Sequence, residues 1–379
     1  VIVTLPRPRA PVDRRPAPLS SLLSPVMSRV EREAAKDVWA PYRWDPHRYI
    51  AERLGIGMWR GAKNCTCCER PGHAHPGQAE VVDAYLDAMR AQDERDRYES
   101  GEITAENLRK YDPTRVIRNE FRVPGGHSTG KTNCVAAIAS HFFDCFAPCV
   151  ISLVAPGKTQ VVDQVLKEIK ILRSGKGLPG KVMTESIRGP RDGESEKHYI
   201  RVAVTGDAHG TGGERLQGMH APRQLVIMDE SEGILEQFRS PIQSWLSGGQ
   251  GVIVMLANPK RRTGWYHRCK AEPQVANLEL SCLWHPNVLS GREVIKGAVR
   301  RDYVMGKLKG CRRVDRHDPD RDTFELPWLP GAIWEPDEEF SFRVLGRAPA
   351  QTSSRCFCPP ARFEAAKRGG MAFQIPRGA

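Results

Sequence analysis

The chain has 379 residues, with 57 Lys and Arg against 45 Asp and Glu, a net charge of +12 and a pI near 9.3. That length allows one large or two ordinary domains with a full core, and the basic surplus points to a polyanionic partner, nucleic acid first. Eleven cysteines set among apolar residues, as in NCVAAIASHFFDCFAPCV, fit reduced packing thiols and argue against a disulfide framework, and the longest apolar tract, Cys134 to Ala155, is broken by His141, Asp144 and Pro148, which excludes a membrane helix.

Residues 1–28 are rich in Pro and Arg and lack an apolar h-region, so they read as a disordered tail and not a signal peptide; Met27 is a candidate start. A helical region with an insert is expected over 29–114. Its first part, to about Arg60, carries helical spacing interrupted by Pro41 and Pro46. The insert, 64–76, supplies Cys65, Cys68, His73 and His75, four groups able to form a tetrahedral Zn²⁺ site, although H-x-H is tighter than finger spacing and an exposed loop is the alternative. From Gln78 to about Tyr98 a charged helix places Val81, Val82, Tyr85, Leu86 and Met89 on one side.

A strand over 116–123 (VIRNEFRV) then feeds GGHSTGKT, residues 125–132, which satisfies G-x-x-x-x-G-K-[ST] at every fixed position. In such a loop Gly125, Gly126, His127, Ser128, Thr129 and Gly130 turn backbone N–H groups toward phosphate, Lys131 reaches the β- and γ-phosphates, and Thr132 holds Mg²⁺. CVISLVA (149–155), HYIRVAV (198–204), QLVIMDE (224–230) and GVIVMLANP (251–259) read as buried strands, and TQVVDQVLKEIKILR as the amphipathic helix completing a βαβ unit. Ser240 and Pro241 mark a helix start and Gly248 its stop. This alternation means an α/β fold with a mainly parallel sheet.

QLVIMDE ends in Asp229, placed as a Walker-B Mg²⁺ ligand, and Glu230, placed to polarise the attacking water; capping of the next helix is the alternative for both. Glu232 reads as a solvated loop residue. Asn258, at the end of the following strand, can contact the γ-phosphate or attacking water, or form an Asx-turn before Pro259. KRRTGWYHRCK (260–270) interleaves five cations with Trp265 and Tyr266, which suits DNA phosphates and base stacking, or a basic loop with its aromatics in the core. DPDRD (318–322) lacks the glycine of a calcium loop.

Together FRVPGGHSTGKT, GERLQGMHAPRQLVIMDESEGI, VIVMLANPKRRTGWYHRC and HPNVLSGREVIKGAV resemble the ATPase domain of tailed-phage terminase large subunits, from about Trp59 to Arg347. The resemblance implies a P-loop NTPase of the RecA-like additional-strand (ASCE) type, a three-layer sandwich over 115–347, that uses ATP and Mg²⁺ to package double-stranded DNA. It implies a homo-oligomeric ring working with a portal protein and a small terminase subunit in the bacterial host cytoplasm, with no membrane partner. By the same resemblance Gln78 contacts adenine and Asn258 couples hydrolysis to movement.

Two departures stand out. His127 occupies the loop position where many terminases carry arginine, so the charge must come from elsewhere, with Arg122, Arg215 and a neighbouring subunit as candidates. In 348–379, expected as a stub in place of a nuclease domain, Glu364 is the sole carboxylate side chain, too few for a two-metal site, so no DNA cleavage is expected from this chain. A helicase-like remodelling ATPase and an inactive prophage relic are the rival readings; the first requires a second RecA-like domain after Pro259.

Overall fold

The computed structural model describes residues 37–65, 73–103, 116–189, 197–205, 221–318 and 321–350. Residues up to Pro41 belong to a small separate unit, and everything below concerns the unit that begins at Tyr42. Strands β1 (Ala62–Cys65) and β2 (His73–His75) form an antiparallel hairpin ahead of helix α1 (Gln78–Glu99). Glu80 sets the start of α1 by accepting hydrogen bonds from the Gly77 and Gly61 N–H groups, which ties the hairpin to the first helical turn. The helix buries Val81, Val82, Tyr85 and Met89 as its spacing predicts, with Ala88 in place of the half-buried Leu86.

The main sheet contains β3 (Glu120–Pro124), β4 (Val150–Ala155), β5 (Lys181–Val182), β6 (Ser186–Arg188), β7 (Tyr199–Val204), β8 (Arg223–Met228), β9 (Gln250–Ala257) and β10 (Val275–Asn277). Their spatial order is β10-β3-β9-β8-β4-β7-β6-β5, with only the β7-β6 and β6-β5 pairings antiparallel. The phosphate-loop strand β3 and the carboxylate strand β8 are therefore not neighbours. One additional strand, β9, lies between them and pairs in parallel with both, which is the ASCE arrangement.

Every residue of β3, β4 and β9 is buried, as a sheet covered on both faces requires. On one face Val226, Met228, Ile253 and Met255 pack with Phe238, Ile242, Trp245 and Trp265; α1 and α2 (Lys131–Cys145) cover the other. The expected helix after β4 runs through Lys158–Val161, a π-helical turn at Val162–Leu166, and α3 (Lys167–Arg173). A helix of Arg239–Ser244 begins before the expected Ser240 cap, because a 3₁₀ turn at Glu236–Phe238 leads directly into it.

Beyond Pro259 the chain builds a second core that the sequence did not announce. Helix α4 (Arg301–Leu308) and strands β11 (Arg312–Val314), β12 (Phe324–Leu326) and β13 (Leu329–Glu335), in the antiparallel order β11-β13-β12, enclose Val304, Leu308, Phe324, Leu326, Phe340 and Val344. The strands are short, charged or broken by Pro330 and Gly331, so their alternation carries little signal. Among the described residues the parallel pairing after β9 is confined to the edge strand β10, and no second parallel sheet follows. No helix among the described residues is long and apolar enough to cross a membrane, and 351–379 lies outside them.

Candidate nucleotide site

The chain leaves β3 at Pro124, crosses 125–130 and enters α2 at Lys131. Gly130 has φ +81°, a conformation that strains any side chain, and its open face is filled by the Gln78 amide. The first half of the loop is bolted to protein. The Gly125 N–H donates to Ala257 O at 3.0 Å, that of Gly126 to Leu280 O at 3.0 Å and that of His127 to Arg343 O at 2.7 Å.

The second half differs. No backbone carbonyl among the described residues accepts from the N–H groups of Ser128, Thr129, Gly130, Lys131 and Thr132. Thr129 is fully buried, and the other four donors stand at the positive end of a fifteen-residue helix, as a phosphate chain requires. Gly125, Gly126 and His127 thus shape the loop without offering a free N–H, a correction to the expectation that all six loop residues present theirs to the ligand. The Thr129 hydroxyl likewise serves the loop, donating to Gly126 O.

Lys131 folds back on the loop, its Nζ donating to Gly126 O at 2.7 Å and Gly125 O at 3.1 Å. Loss of hydration lowers its ammonium pKa to about 8, opposed by Cys282 and Asp229. A phosphate would offer that ammonium a charged partner in place of two carbonyl dipoles. Asp229, 8 % exposed at the end of β8, uses Oδ1 to accept from the Glu230 N–H, while Oδ2 is buried without a hydrogen-bond partner. Burial raises its carboxyl pKa; the Glu230 N–H opposes this, Glu230's charge adds to it and Lys131 counteracts it. An orphaned buried carboxylate oxygen suits a hard cation, and with the half-buried Thr132 hydroxyl it gives the oxygen donors Mg²⁺ prefers.

Glu230 sits in the left-handed region, φ 45° and ψ 45°, with its side chain exposed. This non-glycine turn separates its carboxylate from that of Asp229 and leaves it accessible to water. Asn258 donates from Nδ2 to Gly125 O at 2.5 Å, so the end of β9 is joined directly to the loop.

Gln78 is only 4 % exposed, donates to Gly130 O at 2.8 Å and accepts from the Trp59 N–H. Both ends of its amide are engaged by protein, which makes it a brace for the loop; the adenine contact implied by resemblance has no exposed amide here. Glu232 is not the solvated residue its sequence context suggests: its carboxylate accepts from the Lys260 and Arg261 N–H groups at 2.9 and 2.8 Å. It ties the segment after β8 to the segment after β9, a link between strands that no local motif signals.

Arg122 cannot supply the missing charge. It is 5 % exposed, donates to Tyr266 O and Asn277 Oδ1, and lies over the Tyr266 ring. Arg215 lies outside the described residues. His127 is no substitute, since burial, then Arg343, Lys131 and other cations, lowers its imidazole pKa and keeps it neutral. Trp265 and Tyr266 are buried, which rules them out as stacking platforms, and Arg262 and Arg268 pair with Asp322 and Glu236.

Of the zinc candidates, Cys68 lies outside the described residues, and Cys65 pairs in register with His73 across the hairpin. His75 is 6 % exposed and stacks on Trp284. Among the described residues no group of three His, Cys, Asp or Glu side chains assembles as a metal site.

No family model matches the chain. A probable terminase large subunit of Enterobacteria phage P7 is 30% identical over 159 residues, 38% of this chain. The chain covers 30% of that relative's length. Solved structures similar to it include the ATPase domain of the Thermus phage P74-26 large terminase, at 12% identity and TM-score 0.38, covering 64% of this chain and 98% of that one. The large terminase of a thermophilic bacteriophage in complex with ADP has 13% identity and TM-score 0.38, covering 52% of this chain and 45% of that one. The fold assignment stands on the sheet order, and the recognition made on the motifs is borne out by the sequence match to a phage terminase large subunit.

Proposed function

We propose that this chain is the ATP-hydrolysing motor of a terminase-type machine that drives double-stranded DNA into a capsid, acting in a homo-oligomeric ring with a portal protein and a small terminase subunit. The observation that carries the ATPase reading is the second half of the loop: four N–H donors without a backbone acceptor, followed by α2, with Lys131 and a buried carboxylate oxygen of Asp229 beside them. The net charge of +12 supports a polyanionic track.

The N–H groups of Ser128, Gly130, Lys131 and Thr132 hold the β- and γ-phosphates, and Lys131 moves from the loop carbonyls onto their oxygens. Asp229 and Thr132 would hold Mg²⁺, which would neutralise charge on the phosphates. Glu230 orients water and accepts its proton. The water oxygen bonds to the γ-phosphorus, the bond to the β–γ bridging oxygen breaks, and its electron pair leaves with ADP. Asn258 and Glu232 then pass the change at the loop to the segment after β9, since both are bonded across it.

Glu230→Gln keeps the shape and removes the base. It should bind ATP like the parent and hydrolyse it at least roughly a hundredfold more slowly. Steady-state phosphate release with linear duplex present, measured against Lys131→Ala, tests this; undiminished turnover refutes the assignment.

A further inference from the structure

A cavity of about 540 Å³ opens beside the loop, lined by His127, Ser128, Arg300, Asp302, Tyr303 and Arg343 among others. Two of its polar atoms are buried without hydrogen-bond partners, Tyr303 Oη and Arg343 Nε. The latter stands 3.5 Å from Glu339 Oε1, an ion-pair approach at the outer limit of hydrogen-bond distance, and Glu339 is shared with Lys307.

The backbone around Arg343 is fixed to the phosphate loop. Its carbonyl accepts from the His127 N–H, and a methyl group on Gly126 would lie 2.8 Å from the carbonyl oxygens of both Arg343 and Val344. Cys282 Sγ also donates weakly to His127 O and Arg343 O. Phosphoryl transfer spreads negative charge over the γ-phosphoryl oxygens, and a fixed guanidinium stabilises that charge. Arg300 also borders the cavity, but it is exposed and leans on Asp302 at 3.3 Å.

We infer that Arg343, carried by the segment after β13 and reaching the cavity beside His127, supplies in cis the cation that stabilises charge on the transferring γ-phosphoryl group. The inference rests on the ATPase reading and names where its missing charge resides. It also makes the C-terminal core part of the catalytic site, since Val344 beside Arg343 belongs to that core.

The test compares wild type, Arg343→Gln, Arg343→Lys and Arg300→Gln in ATP hydrolysis and in binding of ADP and of ADP with aluminium fluoride. Arg343→Gln should lower turnover roughly a thousandfold, the scale of a lost arginine finger. Its ADP affinity should stay within about threefold of wild type while the additional affinity for ADP with aluminium fluoride disappears, a selective loss expected of transition-state contacts. Arg343→Lys should recover part of the rate, and Arg300→Gln should remain close to wild type. Arg343→Gln turnover within about tenfold of wild type, or equal loss of both ligands, would overturn the inference. If wild type itself binds neither ligand, the nucleotide reading fails and this inference with it, a result recognisable without any variant.

Discussion

Gly126→Ala tests whether the loop and the C-terminal segment form one mechanical unit. The added methyl would stand 2.8 Å from Arg343 O and Val344 O and closer still to Cys282 Sγ. Two of these neighbours are backbone atoms, so a rotamer change cannot relieve the contact. Overpacking of this kind costs about 1–3 kcal/mol. Separating the surfaces strains two hydrogen bonds, Gly126 N–H to Leu280 O and His127 N–H to Arg343 O, worth about 1 kcal/mol each. The sum, about 3–5 kcal/mol, corresponds to roughly 5–10 °C in Tm for a domain of this size. Gly306→Ala is the matched control: it lies inside α4 with no atom near the added methyl, and should stabilise by about 0.5–1 kcal/mol. Chemical denaturation of both variants gives the comparison. If Gly126→Ala falls within about 0.5 kcal/mol of wild type, the segment carrying Arg343 is not held against the loop as argued.

Asn258→Asp replaces the donor to Gly125 O with a carboxylate facing a carbonyl, and should lower both ATP turnover and stability, the latter by about 1–3 kcal/mol; unchanged values in phosphate release and denaturation would remove Asn258 from the loop's support. Arg173→Leu strips the partner from Asp144 in a pair whose side chains are 4 % and 0 % exposed, and should cost about 3–5 kcal/mol at neutral pH. Burial already raises the Asp144 pKa, and loss of Arg173 raises it further, so the carboxyl takes up a proton as pH falls. The deficit should shrink as pH falls through the raised folded-state pKa of Asp144 toward the ordinary carboxylate range, and a pH-independent deficit would show that packing, not the unpaired charge, sets it.

The central sheet was legible because strands covered on both faces must be continuously apolar: QLVIMDE and GVIVMLANP could be placed almost to the residue. The loop was legible because its fixed glycines and lysine answer geometric demands that few other residues meet. The strand expected over 116–123 starts later, at Glu120, since ladder pairing begins only where Asn119 O accepts from the Ile253 N–H. That donor belongs to a strand more than a hundred residues away, so local spacing could not reveal it.

The residues that sequence reading missed share one property: their roles come from contacts between distant segments. Glu232 looked like a loop acid until its partners proved to be backbone groups after β9. Arg343 sits in an ordinary amphipathic stretch, yet its carbonyl fixes the loop and its side chain borders the adjoining cavity. Motifs locate the groups that must be identical in every phosphate loop, because their geometry is local. A charge that must only arrive at one point in space can be delivered from any element that folds there, so replacing the loop arginine with His127 shifts the requirement to tertiary structure. On this argument the short strands β11 to β13, weak in sequence signal, have a clear purpose: they hold a core that includes Val344, the residue next to Arg343, and so fix where that arginine meets the loop.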